Sequence, residues 1–135
     1  MRDIVVNARK FNKKLMVVGS GHSPSDLTIV SNPINEWLVN LDKFNKFISE
    51  KPSPDGKYTD VTAEAGMRVY HLNEILESKG LALQSLGSIS EQSLAGIIST
   101  GTHGSSQYHG LVSSQIVNLK LINGLGQTIN CNSTE

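Results

Sequence analysis

Apolar residues at Ile4, Val5, Ala8 and Phe11 recur at the spacing of one helical face and predict a helix over 2–13, ending near Asn12-Lys13. The run Leu15-Met16-Val17-Val18 then reads as a short buried strand over 15–18. Shorter apolar runs predict strands at 27–30, 37–41 and 44–48, with Asn32-Pro33 turning the chain between the first two. Lys51-Pro52-Ser53-Pro54-Asp55-Gly56 is built from turn residues, and 58–65 alternates as a strand closed by Gly66. Val69, Leu72, Ile75 and Leu76 mark a second helix, stopped by Lys79-Gly80. A strand over 81–84 follows, then a helix of small residues from Ser93 to Ser99. Strands at 115–122 and 127–131 flank the hairpin loop Asn123-Gly124-Leu125-Gly126. The fold class is α+β, with short strands outnumbering helices.

Charge removes some function classes. Twelve basic and twelve acidic residues cancel, so nothing electrostatic favours nucleic acid or an anionic membrane surface. Arg9, Lys10, Lys13 and Lys14 read as the solvated C-terminal end of the first helix. The single cysteine, Cys131, excludes an internal disulfide framework and reads as an inert small hydrophobe in a strand. No run approaches the roughly 18 apolar residues of a membrane span. Arg2-Asp3 at the start is unlike a signal peptide. Both ends look cut, so the chain is expected to be a fragment of a longer protein.

The chemistry concentrates in two loops. Gly19-Ser20-Gly21-His22-Ser23-Pro24-Ser25 follows the 15–18 strand, and its two glycines allow close backbone approach to a ligand. Successive N–H groups there can cradle phosphate oxygens, while His22 adds a potential nucleophile. A tight surface turn accounts for the same letters. The spacing is not the dinucleotide fingerprint, because Ser25 stands where a third small Gly or Ala is needed and Pro24 opposes a helix. Thr100-Gly101-Thr102-His103-Gly104-Ser105-Ser106, with Tyr108-His109-Gly110 beyond it, is the second glycine–hydroxyl–histidine loop. Two such loops could grip one large ligand at two places, or both could be ordinary turns. His22, His71, His103 and His109 have no metal-ligand spacing, so no metal is expected. Gly-x-Ser-x-Gly is missing, so a serine hydrolase is not expected either.

Taken together, 19–25, Leu86-Gly87-Ser88-Ile89-Ser90-Glu91-Gln92-Ser93 and Gly96-Ile97-Ile98-Ser99-Thr100-Gly101-Thr102-His103-Gly104-Ser105 resemble the flavin-binding domain of the sugar-lactone oxidases. These belong to the vanillyl-alcohol-oxidase superfamily, with its PCMH-type FAD-binding fold. Trp37-Leu38-Val39-Asn40-Leu41-Asp42 and Ala65-Gly66-Met67-Arg68 fit the same family, and the resemblance covers essentially the whole chain. It implies an α+β domain of two subdomains over 1–135, incomplete at both ends and lacking the substrate-binding cap. FAD would be joined covalently to His22. Gly19, Ser20, Gly21 and Ser23 would hold the pyrophosphate, and Ser88, Ser93, Gly96, Thr100, Gly101, His103 and Gly104 would line the rest of the cofactor. Gly87, where related dehydrogenases carry alanine, would leave dioxygen access to the flavin.

The implied reaction converts D-arabinono-1,4-lactone and dioxygen to dehydro-D-arabinono-1,4-lactone, the erythroascorbate precursor, and hydrogen peroxide. In it the hydroxyl proton is removed and hydride passes to the flavin. A related oxidase of another lactone or polyol, or an inactive FAD-domain remnant, is the competing expectation. The resemblance also implies the mitochondrial outer membrane, although no anchor is present in these residues.

Overall fold

The computed structural model describes residues 1–132, and these divide into two compact units. The first comprises Met1–Val18, Ser23–Val39 and the chain from Ile116 to the end of the described residues; the second comprises Gly19–His22 and Asn40–Gln115.

In the first unit, helix α1 (Arg2–Lys10) carries Asp3 in its first turn and Arg9 and Lys10 in its last, complementing the helix dipole. It stops three residues earlier than the periodicity predicts. Asn12 adopts φ 51°, and the amides of Asn12 and Lys13 return to the carbonyls of Arg9 and Ala8 at 3.1 and 2.7 Å. This left-handed closure satisfies carbonyls that would otherwise continue the helix. Strand β1 (Lys14–Val18) pairs with β2 (Glu36–Asn40). Met16, Val18 and Val39 are buried, as is Ala8 of α1, while the Phe11 and Trp37 rings meet at 6.2 Å. β5 (Asn118–Ile122) and β6 (Thr128–Asn132) form an antiparallel hairpin with Leu121 opposite Ile129 and Leu119 opposite Cys131. Cys131 is exposed there.

The second unit is built on β3 (Phe47–Pro52), antiparallel to β4 (Thr59–Ala63) with a bulge between Phe47 and Ser49. Helix α2 (Val69–Glu77) sends Leu72 and Leu76 into a cluster with the fully buried Met67, where Phe47, Val61 and Ala63 from the strands also pack. Val69, on the same helix, joins Ile97 of α3 (Leu94–Ile98) and Val112 in a second cluster, and Leu94 touches both. The packing of α3 is carried by Leu94, Ile97 and Ile98, while Gly96 lies exposed.

Three strand expectations fail. Residues 27–30 form no strand: Asp26–Thr28 is a short 3-10 turn in which the Ile29 amide bonds Asp26 O at 3.0 Å. The 44–48 strand lies later, as β3. Phe44 is spent in a turn onto Leu41 O, and pairing runs on through Lys51 and Pro52 opposite Asp60 and Thr59. Residues 81–84 are irregular; the Gln84 amide is satisfied by the Gln115 side chain at 3.2 Å rather than by a neighbouring strand, while Leu81 and Leu83 still pack on the core. In each case an apolar run marks burial without naming a backbone partner.

Candidate functional site

Gly19 begins a loop that belongs to the second unit and is fixed there by Ser93. The Ser93 amide donates to Ser20 Oγ at 3.1 Å, joining segments 73 residues apart in sequence. Gly19 lies so close that an added Cβ would overlap the Ser93 hydroxyl, so this contact requires glycine. Gly21, at φ 75°, takes the left-handed turn that a side chain disfavours. His22 follows at the surface, exposed, and its imidazole has no hydrogen-bond partner among the described residues.

Ser93 is itself held by the start of α2. The amides of Val69, Tyr70 and Leu94 bond Gln92 O, Ser90 O and Met67 O at 3.0, 2.9 and 2.9 Å. Only 1% of Ser93 is exposed, and its Oγ finds no hydrogen-bond partner among the described residues. A buried hydroxyl without a partner is costly, and Ser93 lines neither of the hollows beyond it.

Beyond Ser93, an open hollow of about 430 Å³ is lined by Gly87, Ser88, Ile89, Gln92 and the stretch from Thr100 to His103. A second hollow of about 380 Å³ shares Gly87, Ser88 and His103 and adds Leu86, Gly104 and Ser105. No lining residue is charged; a phosphate here would meet amides and hydroxyls instead of cations. The Thr100 hydroxyl lies 3.4 Å from the carbonyls of Gly96 and Ile97, to which it donates, and 2.8 Å from Thr102 Oγ1. The two hydroxyls share one hydrogen bond, in which either can be the donor. His103 Nδ1 donates to Gly104 O at 2.8 Å, because a carbonyl can only accept. Its Nε2 is left without a partner among the described residues. Thr102 and His103 thus both bring polar groups to a hollow that has no charged side chain.

Behind this wall the Gly104 amide donates to the buried Ser85 hydroxyl at 3.2 Å, and the Gln115 side-chain amide holds Ser85 O at 2.9 Å. A Cβ on Gly87 would stand 2.8 Å from Thr102 Cγ2.

Of the expected residues, Gly19, Ser20 and Ser93 come together. Gly87, Ser88, Thr100, Gly101, His103 and Gly104 surround the two hollows. Gly96 lies on the exposed side of α3 and lines neither hollow, while Ser23 is grouped with the first unit. Ile89, Gln92 and Thr102 had not been singled out; each sits beside a chosen residue, and the adjacency was the available signal. Ser85 and Gln115 carried none. Among the described residues no cluster of His, Cys, Asp or Glu could hold a metal ion.

A family model described as an FAD binding domain matches residues 1–132. The chain belongs to that family. This FAD-binding domain is 59% identical over 135 residues to the D-arabinono-1,4-lactone oxidase of Yarrowia lipolytica, covering 100% of the chain and 25% of that relative. The enzyme of the same name from Saccharomyces cerevisiae is 56% identical over 125 residues, 93% of the chain and 23% of its own length. The chain thus spans about a quarter of the curated relatives it matches. A crystal structure of the carbohydrate oxidase from Microdochium nivale, in complex with a substrate analogue, superposes with a TM-score of 0.84. It shares 26% identity over 99% of this chain and 28% of its own. The α+β, PCMH-type expectation is therefore met. The residues present fit FAD. Glycines, hydroxyls, a side-chain amide and an imidazole line the two hollows, giving close backbone approach and polar partners for its hydroxyl and imide groups.

Proposed function

We propose that this FAD-binding domain serves a lactone oxidase that converts D-arabinono-1,4-lactone and dioxygen to dehydro-D-arabinono-1,4-lactone and hydrogen peroxide. The observation that carries this reading is 59% identity across the whole chain to an enzyme of that name, in a chain whose FAD-binding family is established. When bound, FAD supplies a two-electron acceptor that dioxygen reoxidises. The chain's own residues bind and orient it: the Gly19–His22 loop offers amides to the pyrophosphate, and the polar groups of Thr102 and His103 face the rest of the cofactor.

His22 is the covalent anchor in this reading. Its imidazole is exposed, has no competing hydrogen bond, and stands on a loop pinned through Ser20 and Gly19 to Ser93. Gly87 keeps one wall free of a methyl group and so leaves room for dioxygen. The sugar lactone is held by chain outside this domain, and the whole enzyme is assigned to the mitochondrial outer membrane on resemblance. Among the described residues no helix is long and apolar enough to cross a membrane.

A second reading, an oxidase of another carbohydrate or polyol, is supported by the Microdochium nivale carbohydrate oxidase, since the same domain serves different substrates. Purified full-length protein tested on a panel of lactones and sugars, with peroxide as readout, separates the two. Acid precipitation followed by mass spectrometry of the peptide containing His22 tests the anchor. A flavin adduct on His22 is expected; complete release of the pigment into the supernatant overturns it.

A further inference from the structure

Arg68 connects the turn at Asp42 with the segment at Glu91. As the residue before α2, it sits in extended conformation and bridges Ser93 through the backbone. Its side chain reaches in two directions. Nη1 donates to Glu91 O at 3.2 Å, and Nη2 donates to Asp42 Oδ1. Asp42 is itself held in place: its amide bonds Asn40 Oδ1 at 2.7 Å, and Asn40 Nδ2 returns to Asp42 Oδ2 at 3.1 Å. Only one residue separates Glu91, the carbonyl that Arg68 holds, from Ser93, whose amide fixes Ser20.

We propose that Arg68, braced by Asp42, is a positioning residue that sets the 90–93 segment and thereby the placement of the Gly19–His22 loop for FAD. The inference rests on the FAD reading above. Stability is not what the pair contributes. The Arg68 side chain is 25% exposed and that of Asp42 is 49% exposed, and ion pairs so accessible add little to folding. Direction is what it contributes, because a planar guanidinium holds two acceptors at fixed angles while an ammonium of equal charge does not. A small shift of a binding loop is enough to cost a large factor in a reaction that depends on alignment.

The test uses full-length protein carrying Arg68→Gln, Arg68→Lys or Asp42→Asn, each also made with His22→Ala so that flavin can exchange. Three quantities are read: the rate at which acid-stable flavin forms, the FAD dissociation constant on the His22→Ala background, and the thermal midpoint. Arg68→Gln is expected to slow attachment about tenfold and to weaken FAD binding about tenfold, with the midpoint within about 2 °C of the parent. Arg68→Lys is expected to recover less than half of either loss, and Asp42→Asn to follow Arg68→Gln more weakly.

Parental attachment rate and affinity in Arg68→Gln would overturn the inference. So would a lowered midpoint with unchanged affinity, the mark of a merely structural role, or full rescue by lysine. If Arg68→Gln fails to fold, the same comparison is made with Arg68→Lys and Asp42→Asn. Absence of acid-stable flavin in the parent removes the His22 anchor alone, and the dissociation constants still decide the role of Arg68.

Discussion

Ser93→Ala should move stability and cofactor affinity in opposite directions. In most helices, removing a serine at the N-cap destabilises by about 0.5–2 kcal/mol. Ser93 precedes α3 but makes no side-chain cap, so that loss does not apply. Its amide, which holds Ser20, is untouched by the substitution. What disappears is a hydroxyl buried to 1% exposure with no partner among the described residues. Leaving such a group unsatisfied costs about 1–3 kcal/mol, so its removal should stabilise the FAD-free protein by on the order of 1 kcal/mol. If FAD completes that hydroxyl, the loaded protein loses one neutral hydrogen bond, about 0.5–1.5 kcal/mol, or roughly two- to thirteenfold in dissociation constant. The assay is differential scanning of full-length protein on a His22→Ala background, with and without FAD, together with titration by flavin fluorescence. The midpoint should rise by about 1–2 °C without FAD, and the FAD-induced increase should shrink. A fall in the FAD-free midpoint would show that the hydroxyl supports the fold itself, and the argument for a ligand at Ser93 would fail.

Three other outcomes follow from the same contacts. Gly19→Ala should destabilise by about 1–3 kcal/mol through overpacking on Ser93, and adding Ser93→Ala should recover part of the loss; strict additivity in chemical denaturation would contradict the contact. Met67→Ala, at the fully buried centre of the second unit, should cost about 2–5 kcal/mol in urea unfolding, and a loss below about 1 kcal/mol would mean that the cluster collapses to fill the space. The amides of Asn32 and Ser31, and then Lys14, hold the Glu36 carboxyl below its ordinary range. A depressed carboxylate adds stability that is present above the ordinary carboxyl pKa and lost as pH falls through the folded value, so Glu36→Gln should lower the midpoint at pH 7 and approach the parent as pH falls below the ordinary carboxyl range. Midpoint curves that stay parallel from pH 7 to well below the ordinary carboxyl range would refute that assignment.

What the sequence made legible was local. The helical faces of α1 and α2 repeat at their own period, and the β5–β6 hairpin encloses a loop of turn residues, so each could be read without knowledge of a partner. The expected strands at 27–30, 44–48 and 81–84 failed because an apolar tetrad states that a segment is covered and leaves open by what. Asp26 closes a turn, Phe44 hands its pairing to the residues after it, and Gln84 finds a side chain. The site divides along the same line. Glycine, serine and histidine at 19–22 and 100–104 advertise chemistry in one dimension, and family resemblance turned that into FAD. The contact that gives the first loop a fixed place, Ser20 on Ser93, spans 73 residues and leaves no local pattern. Ser93 sits between the Arg68 bridge on one side and Gly19 on the other, so one small buried residue transmits the geometry of α2 to the glycine loop. A larger side chain at 93 would push on Gly19, and a side chain at 19 would push on Ser93. The smallness of both residues follows from this single mutual constraint.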